Sequence, residues 1–531
     1  MAQRGLKEDE LILRGPPLPP RPLGQTLWDR LLNSMLQHGD ATAQIDADTG
    51  ARQSYREILQ SVGQLVKILD ASNFKPGDTV VICSENNLQF CVPLLACLQA
   101  GYVCAPLNPA YTTNELQHVL KLTKPRAIFY SRRSATAILD AAKKITSRCE
   151  IYCCIDEELD SFLLQSKKFH KPVKNDVKSS DTAFILTSSG TTGLPKGVAL
   201  SHDNFLVSLA CLRHPDFNPD EEYGKEMVAY LPFFHAFGLH IMIGCFDEGV
   251  AMIIMTQFDI DTFLQLIQDY KVQSLALVPP IVALISYHPS VANYDLSSVR
   301  RVGCGAAPLG SDLQEAFKKR LPSVEEITQA YGLTEATLIV TRIPPGKNKM
   351  GSSGVAAPGI EVKVIDTETG HSLGPYKQGE ILCRGSAIMK GYIGDEKATA
   401  ATIDSDGWLH TGDVGYYDND GYFFIVDRIK ELIKYKGFQV APAELEGIIV
   451  NHPAVYEVAV IGVPDKIAGE LPKAFVVQQA PVTEREIIDY VAKQVSSHKQ
   501  LRGGVEFVNE IPKTSTGKIL RRELRRLKSK L

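Results

Sequence analysis

Thr187-Ser-Ser-Gly-Thr-Thr-Gly-Leu-Pro-Lys-Gly197 places three glycines, five hydroxyl residues and one lysine in eleven positions. Upstream, Thr182-Ala-Phe-Ile-Leu-Thr187 reads as a short buried strand. Downstream, Val198-Ala-Leu-Ser-His-Asp203 leads into a helix beginning near Asn204. A loop of this composition suits polyphosphate. Glycines allow close backbone approach, successive N–H groups make an anion nest, hydroxyls donate to phosphate oxygens and lysine adds a mobile charge. Ser188, Ser189, Gly190, Thr191, Thr192 and Lys196 are the candidate contacts. The lysine follows Leu-Pro and precedes Gly, so this is not a Walker A loop. A flexible linker fits poorly, because the stretch is held between an apolar strand and an apolar helix.

Outward from this loop the chain alternates strands and helices. Gly77–Cys83, Gly101–Pro106 and Arg126–Tyr130 read as buried strands, with helical spacing between them at Leu94–Ala100 and Asn114–Leu122. Residues 24–70 read as a helix, an edge hairpin and a second helix. Strands at 228–231, 274–279 and 301–309 continue the pattern, which predicts βαβ units and parallel sheets. From Gly359 to Gly385 short alternating strands point to a β-barrel-like subdomain. The fold class is α/β: a large domain over 1–427 with αβαβα-type parallel-sheet subdomains, a hinge at 428–430, and a small mobile α+β domain over 431–531. The polar break Asp427-Arg428-Ile429-Lys430 after Gly421-Tyr-Phe-Phe-Ile-Val426 sets that boundary.

The 531 residues exceed what one core organises. A net charge of −4 gives no overall drive toward nucleic acid, and the 44% hydrophobic content is ordinary for a globular protein. Eleven cysteines, an odd number without a CxxC pair, predict buried thiols rather than disulfides or zinc. Residues 1–25 read as neither a signal nor a transit peptide. The longest apolar run, Cys91 to Leu107, is broken by Gln99, Gly101 and Pro106, so no membrane span is expected. Ser529-Lys530-Leu531 matches the peroxisomal import address, which makes the peroxisome the expected location and the import receptor an expected partner.

Three further motifs carry chemistry. In Tyr331-Gly-Leu-Thr-Glu335 the ring can stack on a purine, Thr334 can donate to an α-phosphate and Glu335 can hold Mg²⁺ with hard oxygen ligands. Asp413, in Thr411-Gly-Asp413, can accept both hydroxyls of a ribose from a strand end held by a glycine turn; a turn aspartate capping its own backbone is the alternative. Pro512-Lys-Thr-Ser-Thr-Gly-Lys518 can deliver Lys518 to a phosphate. Eight basic residues between 513 and 530, against the single acid Glu523, also fit a solvated tail.

Together these stretches resemble the adenylate-forming enzymes: acyl-CoA synthetases, 4-coumarate–CoA ligases, insect luciferases and peptide-synthetase adenylation domains. The resemblance covers roughly residues 20–531, and Ile82–Phe90 adds to the likeness with insect luciferases. It implies ATP-dependent activation of a carboxylic acid, with Mg²⁺, and Lys518 bridging the carboxylate and the α-phosphate as pyrophosphate leaves. It implies ribose contact by Arg428 as well as Asp413, and adenine flanked by Ala307 and Gln329. Lys430 becomes the pivot, Lys434 faces the adenylate after rotation, Lys436-Gly437 line the CoA entrance, and Gln439 joins the nucleotide contacts. His235 is the implied gate and carboxylate partner; a lone histidine among aromatics also reads as core. Arg213, Phe237, Ile241, Gly303, Gly305, Ala306 and Leu338 are the implied acyl pocket. The product class divides between thioesterification to CoA and, alternatively, luciferase oxidation of a luciferyl-adenylate by O₂. Leu338 follows Glu335-Ala-Thr where beetle luciferases carry a serine. That larger apolar residue suits a fatty acyl chain, and the CoA reading is preferred.

Overall fold

The computed structural model describes residues 8–145, 149–168, 176–188, 194–218, 224–436, 438–514 and 517–527. Ser189, Gly190, Thr191, Thr192, Gly437 and Ser529-Lys530-Leu531 lie outside them.

The N-terminal body is built on three sheets and an antiparallel half-barrel. The first sheet orders Gly391–Tyr392, Lys196–Ser201, Thr182–Ser188, Val103–Leu107, Thr79–Cys83, Ala127–Tyr130 and Ile151–Cys154. From Thr182–Ser188 to Ile151–Cys154 all neighbours are parallel, as the alternation predicts. Their all-apolar runs and the fully buried helix Cys91–Ala100 are what a sheet covered on both faces requires. Strand Lys196–Ser201 pairs antiparallel with Thr182–Ser188. The residues after the phosphate loop therefore form a strand before the helix His202–Leu212 begins.

A second sheet orders Glu226–Ala229, Ala251–Ile254, Thr42–Asp46 and Arg52–Ser54. A third orders Ser274–Leu277, Arg301–Cys304, Glu326–Tyr331, Thr341–Arg342 and Val355–Ala356. Capping boxes start the helices where the sequence places Ser or Thr three residues before an acceptor: Thr26 with Asp29, Ser54 with Glu57, Thr112 with Glu115, Ser201 with Asn204. The expected β-barrel-like subdomain is the half-barrel of Leu13–Arg14, Ile360–Ile365, Gly379–Gly385, Leu409–Tyr417 and Phe423–Arg428, antiparallel throughout.

After Arg428 a separate sheet forms from Phe438–Val440, Ile433–Tyr435, Gly469–Gln478, Val455–Asp465 and Val505–Phe507. Its two faces carry their own apolar clusters, one around Ile433, Val460 and Ile487, the other around Ile461, Phe475 and Leu524. Contact with the N-terminal body is thin. A small cluster of Val414, Leu432 and Ala441 joins them, and Asn451 Nδ2 donates to Asp312 at 2.7 Å. All eleven cysteines are free thiols, ten of them buried. Among the described residues no helix is long and apolar enough to cross a membrane.

Candidate active site

The ends of the 187–197 loop are brought together by strand pairing: Thr187 lies opposite Gly197 and Ser188 opposite Lys196. Lys196 Nζ sits 4.5 Å from the centre of the Tyr392 ring. A Cβ at Gly197 would stand 2.5 Å from Ile393, so the strand beyond the loop needs glycine for close packing. The Tyr392 hydroxyl donates to Glu335 Oε1 at 3.0 Å, which links the loop's lysine to the second motif.

That second motif is held in an unusual backbone. Thr337 (φ 50°) and Leu338 (φ 90°) are both left-handed, as is Ala306 (φ 72°). Such angles in residues bearing a Cβ cost of order 1 kcal/mol or more each and persist only where surroundings impose them. Here the Thr337 hydroxyl donates to the Ala387 carbonyl at 2.6 Å, and Ser208 donates to the Thr337 carbonyl at 2.8 Å. A Cβ at Gly332 would lie 1.5 Å from the Leu338 carbonyl oxygen, so only glycine fits. Gln329 accepts from the Leu309 N–H at 3.0 Å, while its Nε2 is buried without a hydrogen-bond partner.

Asp413 is 6% exposed and accepts from the Tyr331 hydroxyl at 2.7 Å. Across the half-barrel it pairs in register with Arg428, whose Nε lies 3.3 Å from Oδ1. The expectation of a strand end is corrected here. Asp413 sits mid-strand in Leu409–Tyr417, with Gly412 at φ 70° and register shifts alongside. A bulge lets the strand continue past a left-handed glycine that would otherwise end it.

Lys518 reaches this cleft from the small sheet's side. Its hairpin is closed by Thr514 and Lys518 backbone bonding at 2.8 Å and by Gly517 at φ 80°. A Cβ on Gly517 would touch Pro280 at 3.0 Å, so the turn lies directly on the N-terminal body. Surrounding protein lowers the Lys518 pKa to about 8, with Arg428 adding to the push and Asp413, Glu335 and Glu431 opposing it. The side chain remains exposed to water, and the ammonium gives up its proton more readily than a free lysine.

His235 caps the helix Ala236–Glu248, its Nδ1 accepting from the Phe237 N–H at 3.4 Å. Burial, and then Lys518, lower its pKa to about 4, so the ring is neutral near pH 7 with Nε2 as its donor. In this otherwise buried helix, Phe237, Ile241, Gly244 and Glu248 are the partly exposed residues. The spacing i, i+4, i+7, i+11 makes them one stripe, about 16 Å long. Phe237 faces Gly305, whose Cβ would lie 3.6 Å from its ring. A Cβ on Gly303 would meet nothing nearer than 4.0 Å, and one on Gly244 nothing at all within that range. Arg213 stands at the far end, ion-paired to Asp247 at 2.8 Å and to Glu248 at 3.0 Å.

With this geometry in place the comparisons with known proteins decide the family. The "AMP-binding enzyme" family matches residues 32–393, and the "AMP-binding enzyme C-terminal domain" matches 444–518. This chain is an AMP-binding enzyme. It is 40% identical over 507 residues to "Luciferin 4-monooxygenase" of Nipponoluciola cruciata, covering 92% of each chain. It is 38% identical to "Peroxisomal OPC-8:0-CoA ligase 1" of Arabidopsis thaliana, over 96% of this chain and 94% of that one. Among solved structures, ATP-bound MatB from Rhodopseudomonas palustris matches with TM-score 0.85 at 29% identity, over 94% of this chain and 98% of that one.

In this AMP-binding enzyme the structure gathers Lys196, Thr334, Glu335, Tyr331, Asp413, Arg428 and Lys518 around one cleft. It does not bring Lys434, Lys436 or Gln439 there. Lys434 and Gln439 face each other across a hairpin on an exposed strand pair, and Lys436 occupies its left-handed turn (φ 47°). Gln439, expected among nucleotide contacts, lines a separate pocket with Gln378, Gly379 and Val414. Lys430 is exposed beside Glu431. Residues that sequence reasoning passed over are Tyr392, Gly244 and Glu248. The last two were legible as helical-spacing continuations of Phe237 and Ile241; Tyr392 had no local signal.

Proposed function

We propose that this chain condenses a carboxylic acid with ATP to an acyl-adenylate and pyrophosphate, then transfers the acyl group to the thiol of CoA, releasing AMP. The observation carrying this reading is Lys518, borne on a hairpin of the small body that rests on Pro280, with its charge acting on Glu335, Asp413 and Arg428. In the first step a carboxylate oxygen attacks the α-phosphorus and the P–O bond to pyrophosphate breaks. A lysine ammonium at that point stabilises charge on both reacting anions. Asp413 and Arg428 hold the ribose, Tyr331, Ala307 and Gln329 the adenine, and the 188–196 loop the phosphates; the unpartnered Gln329 amide is a polar group positioned to be satisfied by a bound base. Neutral His235 offers Nε2–H to the acid.

Among the described residues no cluster of three or more candidate metal ligands exists. A single carboxylate, Glu335, fits Mg²⁺, which keeps most of its waters and binds through substrate phosphates. When bound, the ion would neutralise phosphate charge.

For the second step, we assign residues 428–430 as the hinge between an adenylation domain (1–427) and a mobile domain (431–531). Rotation would withdraw Lys518 and present Lys434, Lys436 and Gly437 to the adenylate and to CoA. The acid would lie along the stripe from Phe237 to Glu248, with Leu338 at its mouth, which favours an elongated apolar chain. A relative is named a peroxisomal ligase, and Ser529-Lys530-Leu531 supports the same location and import receptor. The second reading, oxidation of a luciferyl-adenylate by O₂, is favoured by the likeness to luciferin monooxygenases.

One incubation tests both. Purified protein receives ATP, Mg²⁺, CoA and a panel of fatty, aromatic and luciferin-type acids in air, and is scored for acyl-CoA by mass spectrometry and for photons. Thioester without light is expected; light that depends on ATP and one added acid would transfer the chain to the second reading.

A further inference from the structure

Arg521 lies three residues beyond Lys518, at the start of the helix Arg521–Leu527; its Nε and Nη2 are hydrogen-bonded, and its Nη1 makes an ion pair with Glu431 that lacks hydrogen-bond geometry. Nη2 donates to both carboxylate oxygens of Glu446 at 2.7 Å, Nε donates to the Val460 carbonyl at 3.2 Å, and Nη1 lies 3.0 Å from Glu431 Oε2. Glu446 Oε1 also accepts from the Val460 N–H at 2.7 Å. Arg521 and Glu446 are largely shielded, their side chains 13% and 15% exposed.

Glu446 and Val460 belong to the small sheet and its helix, so those contacts hold the lysine hairpin onto its own body. The Glu431 arm reaches the hinge end of that body: Glu431 is its first residue, directly after the 428–430 segment that leaves the strand Phe423–Arg428, and its charge acts on Lys518 as well as Arg521. Beside it, Asp427 accepts from the Ala443 N–H at 2.9 Å and the Arg428 N–H at 2.7 Å, and so ties the end of that strand to the helix Pro442–Ile449. Two carboxylates, Glu446 and Glu431, flank one guanidinium in a shielded place, with Asp427 adding its charge from beside them. Burial raises both Asp427 and Glu446, the latter to about 7. A buried arrangement of this kind is poor value for stability alone and is sensitive to the loss of one partner.

We propose that Arg521 is a positioning residue for the adenylation step: through Glu431 it locks the Lys518 hairpin to the 428–431 segment, so that the lysine enters the cleft only when that segment holds the backbone path seen here. The proposal rests on the adenylation reading above. It separates Arg521 from a plain structural arginine, because the Glu446 and Val460 contacts would serve stability without Glu431.

The test uses full-length Glu431→Gln, with Arg521→Lys as a second variant that keeps charge but lacks the fork. Adenylate formation is followed by pyrophosphate exchange. The second step is followed from presynthesised adenylate and CoA, and tryptic cleavage after Lys430 and Lys434 is followed without ligands. For Glu431→Gln the expected result is an about tenfold fall in the exchange kcat with KM for ATP and acid held. The second step should be retained, cleavage should be severalfold faster, and Tm should stay within about 2 °C. Arg521→Lys should shift the same readings in the same direction. Equal loss in both steps, or unchanged exchange and cleavage, would overturn the proposal. A wild-type chain that exchanges pyrophosphate with no acid would sink the adenylation reading instead, and the cleavage rates would still decide the lock.

Discussion

Two lysines of the same small body, both exposed, stand in different electrostatic surroundings. Lys518 lies in a cleft among Glu335, Asp413, Arg428 and Glu431, on a hairpin resting against Pro280. Lys434 is exposed on a strand edge opposite Gln439, its backbone N–H bonded to Glu470 within its own body. The contrast teaches that one small body presents different charged groups on different faces, and that a single arrangement sets only one of them beside Glu335 and Asp413.

The comparison breaks most sharply at Lys518. Lys518→Ala should lower adenylate formation by about 10²–10³ while leaving transfer from presynthesised adenylate to CoA intact. Pyrophosphate exchange beside a coupled thioester assay checks this, and loss of both steps would deny the division of labour.

A pH profile sharpens it next. The lowered Lys518 pKa means the cation is present below about 8 and is lost as pH rises through that value. First-step kcat/KM should therefore fall up to about tenfold per pH unit above it in the free enzyme. A first-step profile flat to pH 10 would show that the charge is not needed.

Lys434→Ala should reduce the second step about tenfold and the first by much less, if its present exposure is the withdrawn state of a working group. Equal loss in single-turnover measurements of the two steps would reduce it to a surface residue. The smallest effect belongs to Asn451→Ala. It removes an exposed hydrogen bond to Asp312 worth about 1 kcal/mol or less. The first step should slow about twofold or threefold and the second should not, in the same paired assays.

What the sequence revealed of this contrast depended on range. The parallel strands and the half-barrel were legible because their determinants are local: apolar runs and alternation between turn signals. Asp413 was expected at a strand end and sits mid-strand, because a left-handed glycine usually ends a strand and nothing local announces a bulge that lets it continue. Tyr392 was missed because its meeting with Glu335 and Lys196 depends on an edge strand that joins the sheet from nearly two hundred residues away. Arg521 appeared as one more base in a basic tail; its three partners are contributed by segments the fold assembles. The neighbours of Gln439, Lys434 across the strand pair and Gln378 and Val414 in the body before the hinge, are facts of register and assembly.

The strand Phe423–Arg428 has a consequence of its own. Its last residue lies on Asp413 in the cleft, and the residue before it accepts an N–H from the first turn of the small body's helix. A nucleotide held by Asp413, as proposed, and the orientation of the small body would thus act on one pair of adjacent residues. Such linkage is reciprocal: whatever factor by which nucleotide favours one orientation, locking that orientation must tighten nucleotide by the same factor. The strand makes the affinity for nucleotide a gauge of where the small body points.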